Sequence, residues 1–95
     1  MQPKLEQKLK KYFEVTSKAL KKVKISGNLD IKSKKSAEDL YDLAQRYFDD
    51  AKYFEEKEDL INAYGAVIYA HAFLDIGVRL GLFDVCKDNE LFMVD

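Results

Sequence analysis

The chain is poor in the residues that most often carry chemistry. It has one cysteine, Cys86, and one histidine, His71. A single cysteine excludes an internal disulfide, and one His with one Cys cannot fill a four-ligand zinc site. Lone thiols fit a reducing compartment, so a cytoplasmic location is expected. There is no glycine-rich phosphate loop, no Glu-x-x-His pair, and no nucleophile set beside a base. The expectation is therefore a protein that is not an enzyme, with no catalytic, cofactor-binding or metal-binding residue and no cofactor. No apolar leader is visible after Met1, where a Lys-rich amphipathic pattern begins at once. Strand-like alternation is missing at any length.

What is present is a small, charged, helix-forming sequence. Its 95 residues suit one domain, 1–95, and 47% apolar with 35% charged residues marks it as globular. Lys and Glu are abundant while Asn, Gln and Cys are scarce. That balance fits a heat-adapted source, and it equally fits an ordinary helical surface. The net charge of −1 hides a split. Residues 1–35 hold eleven Lys against Glu6, Glu14 and Asp30, a balance of +8, and residues 36–95 carry −9. Such asymmetry points to a nucleic-acid patch or to a basic helix lying beside an acidic one.

The spacing predicts three helices, roughly 3–24, 36–56 and 59–81. Pro3 opens the first, where its missing N–H costs nothing. Leu5, Leu9, Tyr12, Phe13, Ala19, Leu20 and Val23 share one face of it. A loop, 25–35, follows, with Gly27-Asn28 as a turn and Leu29 and Ile31 as candidate pins to the core. Ser36 is the expected N-cap of the second helix. Leu40, Leu43, Ala44, Tyr47, Phe48, Ala51 and Phe54 form its apolar face, and Tyr41 and Tyr53 fall off that face. Asp59 caps the third helix and Gly81 ends it. A tail, 84–95, carries the apolar run Leu91 to Val94 and is expected to dock on the rest.

The most apolar stretch is "AYGAVIYAHAFLDIGVRLGLF", Ala63 to Phe83. As a helix it would be roughly 31 Å long, enough to cross a bilayer. Asp75 and Arg79 argue against a membrane span, at about 2.5–3.5 kcal/mol each on insertion scales. Basic flanks are also missing. A central bundle helix fits better. Tyr69, Phe73, Ile76 and Leu80 would meet one neighbour, and Val67, Leu74 and Val78 the other. Ala66, Ala70 and Gly77 between them permit close backbone approach. The fold class expected is all-α, a closed up-and-down three-helix bundle with a short apolar C-terminal tail.

His71, Asp75 and Arg79 recur at intervals of four on the remaining stripe of this helix, with Tyr64 and Ile68 beside them. The bland account is an exposed edge of i,i+4 pairs worth tenths of a kcal/mol. The functional account is an interaction stripe of Tyr64, Ile68, His71, Asp75 and Arg79. A second candidate is the basic face of Lys8, Lys11, Lys18 and Lys22. It lacks Arg and stacking aromatics, so any nucleic-acid binding would be weak and salt-sensitive. A protein partner or self-association is the partner expected.

Residues 36–85 also resemble a known family. "DDAKYFEEK", Asp49 to Lys57, and above all "YAHAFLDIGVRLGLF", Tyr69 to Phe83, are similar to the hallmarks of the archaeal domain of unknown function 357. Phe73 stands where Trp is common in that family. The resemblance implies a closed three-helix bundle. Some relatives carry this domain appended to a cytidylyltransferase-like domain. This chain has no nucleotidyltransferase motif, so the resemblance implies no activity and no catalytic residue.

Overall fold

The structure is a computed structural model that describes residues 3–84. The expected docking tail and Cys86 lie outside the described residues. Three helices dominate: α1 at Pro3–Lys22, α2 at Ile31–Glu56 and α3 at Leu60–Arg79. Two short strands, β1 at Lys24–Ile25 and β2 at Phe83–Asp84, pair antiparallel. They tie the end of α1 to the end of α3, an element that the absence of alternation hid.

Each boundary has a local cause. Leu9, Thr16, Ala19 and Leu20 are buried and lie on one side of α1, while its lysines face outward. Between α2 and α3 the turn is short. Lys57 ends α2, Glu58 turns the chain with a positive φ of 61°, and the Asp59 carboxylate accepts a hydrogen bond from Asn62 N–H at 3.3 Å. Asp59 thus caps α3 as its sequence position suggests. At the other end Gly81 has φ 75°. Its N–H donates to Val78 C=O at 3.1 Å, and Leu82 N–H donates to Gly77 C=O at 2.8 Å. This pair of reversed bonds closes a helix through a left-handed residue, where glycine is unstrained.

The start of α2 departs from the sequence expectation. The N-cap is Asp30, not Ser36, so the loop is shorter than 25–35 and the helix longer than 36–56. The Asp30 carboxylate accepts from Ser33 N–H at 2.7 Å. "IKSKKS" contains no Gly or Pro, so the helix extends back to the first residue able to cap it. Lys32, Lys34 and Lys35 in the opening turns oppose the helix dipole, which is why the sequence pointed further on. Ile31 becomes the first helical residue and is 90% exposed, so it pins nothing. Leu29 does pack against the core.

The helices run up, down and up, with α3 central. Ala63, Ala66, Val67, Ala70, Leu74 and Gly77 of α3 are buried. Across from them lie Ala37, Ala44, Phe48 and Ala51 of α2 and the apolar side of α1. Alanines on both sides let α2 and α3 approach closely. The Phe13 and Phe48 rings meet at 5.6 Å and bring α1 to α2, closing the bundle. Phe83 plugs one end, its ring over Gly77, where a Cβ would collide with it. Tyr41, expected off the apolar face, is half-buried there: its ring meets Phe83 edge-on at 6.4 Å and its hydroxyl donates to Leu20 C=O at 2.9 Å. The strand pair brings Phe83 over this end, and no local signal in α2 could show that cover.

By length and composition alone α3 is long and apolar enough to cross a membrane, its mean hydropathy reaching 1.2. Its six buried residues form the centre of the bundle, a 33% share of that apolar window, and its isoleucines remain exposed.

Candidate functional site

The sole histidine sits between α1 and α3. His71 Nδ1 lies 3.1 Å from Thr16 Oγ1, and the Thr16 side chain is fully buried. The direction of that hydrogen bond follows the imidazole tautomer. On the other side of the ring, His71 Nε2 is 3.6 Å from Asp75 Oδ1, with the two side chains 13% and 15% exposed. That separation is too long for a hydrogen bond, and the pair is ionic only when the imidazole is protonated. The Tyr12 ring stands edge-on to His71 at 6.5 Å and to Tyr64 at 5.6 Å.

Thr16, His71 and Asp75 thus form a polar line through an otherwise apolar interface. A hydroxyl beside an imidazole beside a carboxylate resembles a nucleophile with its base, but Thr16 is sealed inside the protein. Substrate has no route to its Oγ1. What the line can do is fix the register of α1 on α3, because sliding either helix would strand a buried hydroxyl. Among the described residues no buried side-chain nitrogen or oxygen lacks a partner. No cluster of three or more His, Cys, Asp or Glu capable of holding a metal occurs among them either.

The candidate stripe therefore divides. His71 and Asp75 are not on the exposed edge the helical spacing suggested: their side chains are 13% and 15% exposed, and His71 faces Thr16 and Tyr12 of α1. Tyr64 is half-buried against Tyr12, Ile68 is 38% exposed, and Arg79 is exposed in the last turn of α3. Lys8, Lys11, Lys18 and Lys22 are all exposed on the outer side of α1. Lys8 and Lys11 border a groove of about 360 Å³ floored by Tyr12, Val15 and Tyr64. Sequence reasoning missed Thr16. The signal was there: Thr16 follows Leu9 and Tyr12 by seven and four residues, inside the apolar stripe, where a hydroxyl needs a partner.

A second feature lies on the outside of α3. Ile61, Ile68, Tyr69, Ile76 and Leu80 are 78%, 38%, 60%, 46% and 68% exposed. Tyr69, Ile76 and Leu80 were expected to meet a neighbouring helix. Tyr69 does so at one edge, through Tyr47 of α2, while Ile76 and Leu80 stay largely exposed because α2 sits closer to the alanine seam. Tyr47 of α2 stacks at 5.5 Å on both Tyr69 and Phe73, extending this apolar face onto α2.

These features define a class: a three-helix up-and-down bundle, locked at one end by a strand pair and registered by one internal polar line. The sequence model of the family described as "Protein of unknown function (DUF357)" matches residues 11–83, and the chain belongs to that family. No curated protein and no solved structure matches it.

Proposed function

We propose that this domain is a non-catalytic protein-interaction module whose first partner is a second copy of itself. The observation that supports this reading is the outer face of α3. From Leu60 to Val78 its only charged residues are His71, when protonated, and Asp75, and both side chains are largely buried, 13% and 15% exposed. Contiguous exposed apolar surface of this kind is uncommon on monomers.

The face also suits self-pairing. Ile61, Gly65, Ile68, Ala72 and Ile76 follow one another at three- and four-residue steps, alternating large with small. In an antiparallel pair of α3 helices crossing near His71, Ile76 of each copy would rest on Gly65 of the other, and Ile68 on Ala72. Among the described residues a Cβ at Gly65 would meet nothing within 4 Å, so no packing contact there requires a glycine. A mid-helix glycine costs about 0.5–1 kcal/mol against alanine, and close approach of a second helix would offset that cost. A cytoplasmic setting, and a heat-adapted archaeal source for a Lys- and Glu-rich chain of this family, belong to the same reading.

Sedimentation across a wide concentration range tests it. The native chain should dimerise. Gly65→Leu and Ile76→Lys should be folded monomers, because both positions open to solvent. A native chain that stays monomeric throughout would end the reading. The exposed row Lys8, Lys11, Lys18 and Lys22 supports a second reading, a nucleic-acid accessory domain. Duplex DNA added to the same runs should then shift the boundary at low salt only, and reversing those four charges should remove the shift.

A further inference from the structure

The geometry points to an acidic amphipathic helix of another protein as the occupant of the groove between α1 and α3. The groove holds about 360 Å³. Tyr12 and Val15 of α1 and Tyr64 of α3 floor it, and Lys8 and Lys11 stand on its rim. That volume lies at the small end of the roughly 300–1,000 Å³ usual for binding sites. The Tyr12 and Tyr64 rings meet edge-on at 5.6 Å and both residues are half-buried, which leaves part of each ring to the groove. Tyrosines held in this way are good anchors for a partner.

The rim follows a period. Lys4, Lys8, Lys11, Val15, Lys18 and Lys22 succeed one another along α1 at alternating four- and three-residue steps. All five lysines are exposed. Such alternation averages about 3.5 residues, the repeat by which one helix follows another. The two acids of α1, Glu6 and Glu14, fall outside this row. A second helix laid along the groove would meet an apolar floor on one side and a basic row on the other. From Lys4 to Lys18 that row is roughly 21 Å long, or two heptads.

Charge selects both the groove and its occupant. One other hollow is bordered by Glu6, Glu55 and Glu58, and another, at Val23, Ile25 and Tyr41, by Glu38. Those rims would repel a row of carboxylates. Rim ion pairs contribute at most about 1 kcal/mol each. Apolar contact with Tyr12, Val15 and Tyr64 therefore supplies most of the affinity, while the lysines set orientation and speed of encounter. A nucleic acid would use the lysines and leave the floor bare. A second copy of this chain fits poorly. Its α2 carries Asp39, Asp42, Asp49 and Asp50, but the Ala37, Ala44, Phe48 and Ala51 stripe beside them is buried. A helix from a different protein, with apolar side chains at heptad spacing and carboxylates on their flank, meets both demands. The groove shares no residue with the self-pairing row of α3.

A synthetic three-heptad peptide with Leu at a and d, Glu at e and g and Gln elsewhere is the probe. Titrated into the isotope-labelled chain, it should shift the amide signals of Tyr12, Val15 and Tyr64 to saturation and leave those of Leu43 and Tyr53 in place. Lys8→Glu with Lys11→Glu, both at exposed positions, should weaken binding about tenfold or more. The same peptide with Lys at e and g should not bind. Ile76→Lys, which removes self-pairing, should leave peptide binding unchanged, so a failed dimer and a failed groove give different results. No saturable shift, binding that ignores the charge reversal, or shifts centred on Ile61, Ile68 and Ile76 would overturn the assignment. Equal shifts of the floor residues with polyglutamate or duplex DNA, which lack apolar anchors, would overturn it too.

Discussion

The two sides of α3 differ in a way that hydrophobicity does not explain. Its inner side is mostly small: Ala63, Ala66, Ala70 and Gly77, with Val67 and Leu74. Its outer side holds Ile61, Ile68, Tyr69, Ile76 and Leu80, all exposed. A helix that chose its buried side by apolar area alone would turn the other way. Side-chain size decides instead. Close approach to the alanines of α2 gains dense packing, which large side chains would prevent by holding the backbones apart. The large residues remain outside, where a second helix can use them.

The sharpest break of this comparison is one deletion made on each side. Leu74→Ala should cost about 2–5 kcal/mol in denaturant unfolding, because Leu74 is fully buried. Leu80→Ala, the same change on the exposed side, should stay within about 0.5 kcal/mol under dilute, monomeric conditions. Equal costs would mean that the outer side is already covered. The polar line comes next. Thr16→Val keeps shape but removes the hydroxyl beside His71, and should cost about 1 kcal/mol. A double-mutant cycle with His71→Leu should show coupling between the two, and additive losses would dissolve the register argument.

The smallest effect concerns the start of α2. The Asp30 carboxyl is held below its usual range, chiefly by the backbone N–H of Ser33 and further by that residue's hydroxyl. Its folded-state pKa is therefore lower than in the unfolded chain. The stabilisation it gives is present above the unfolded value and is lost as pH falls through the folded one. Helix content should thus decline modestly in that acid window. Asp30→Asn, which still caps, should flatten the decline. An unchanged acid profile would place the sensitivity elsewhere.

Much of the fold was legible because its signals are short-range. Asp59 and Gly81 act through bonds within a few residues, so their positions could be read directly. The motif from Tyr69 to Phe83 gave the family. The candidate stripe was legible only in part. His71 and Asp75 were correctly placed on one side of α3, but which helix would cover that side depends on residues fifty-five positions away, where Thr16 meets His71. The start of α2 failed for a different reason. Ser36 and Asp30 are both competent caps, and a local pattern alone could not rank them.

The sequence by itself determined three helices, their order, the caps of α3, and a central helix apolar on nearly every side. Those follow from periodicity and from backbone groups that must bond nearby. The tertiary structure alone decided which side of α3 turned inward, that Phe83 would close the end over Gly77, and that one threonine would find the only histidine. Each of those depends on the closest approach of distant backbones, a distance that side-chain size sets only once the helices are together.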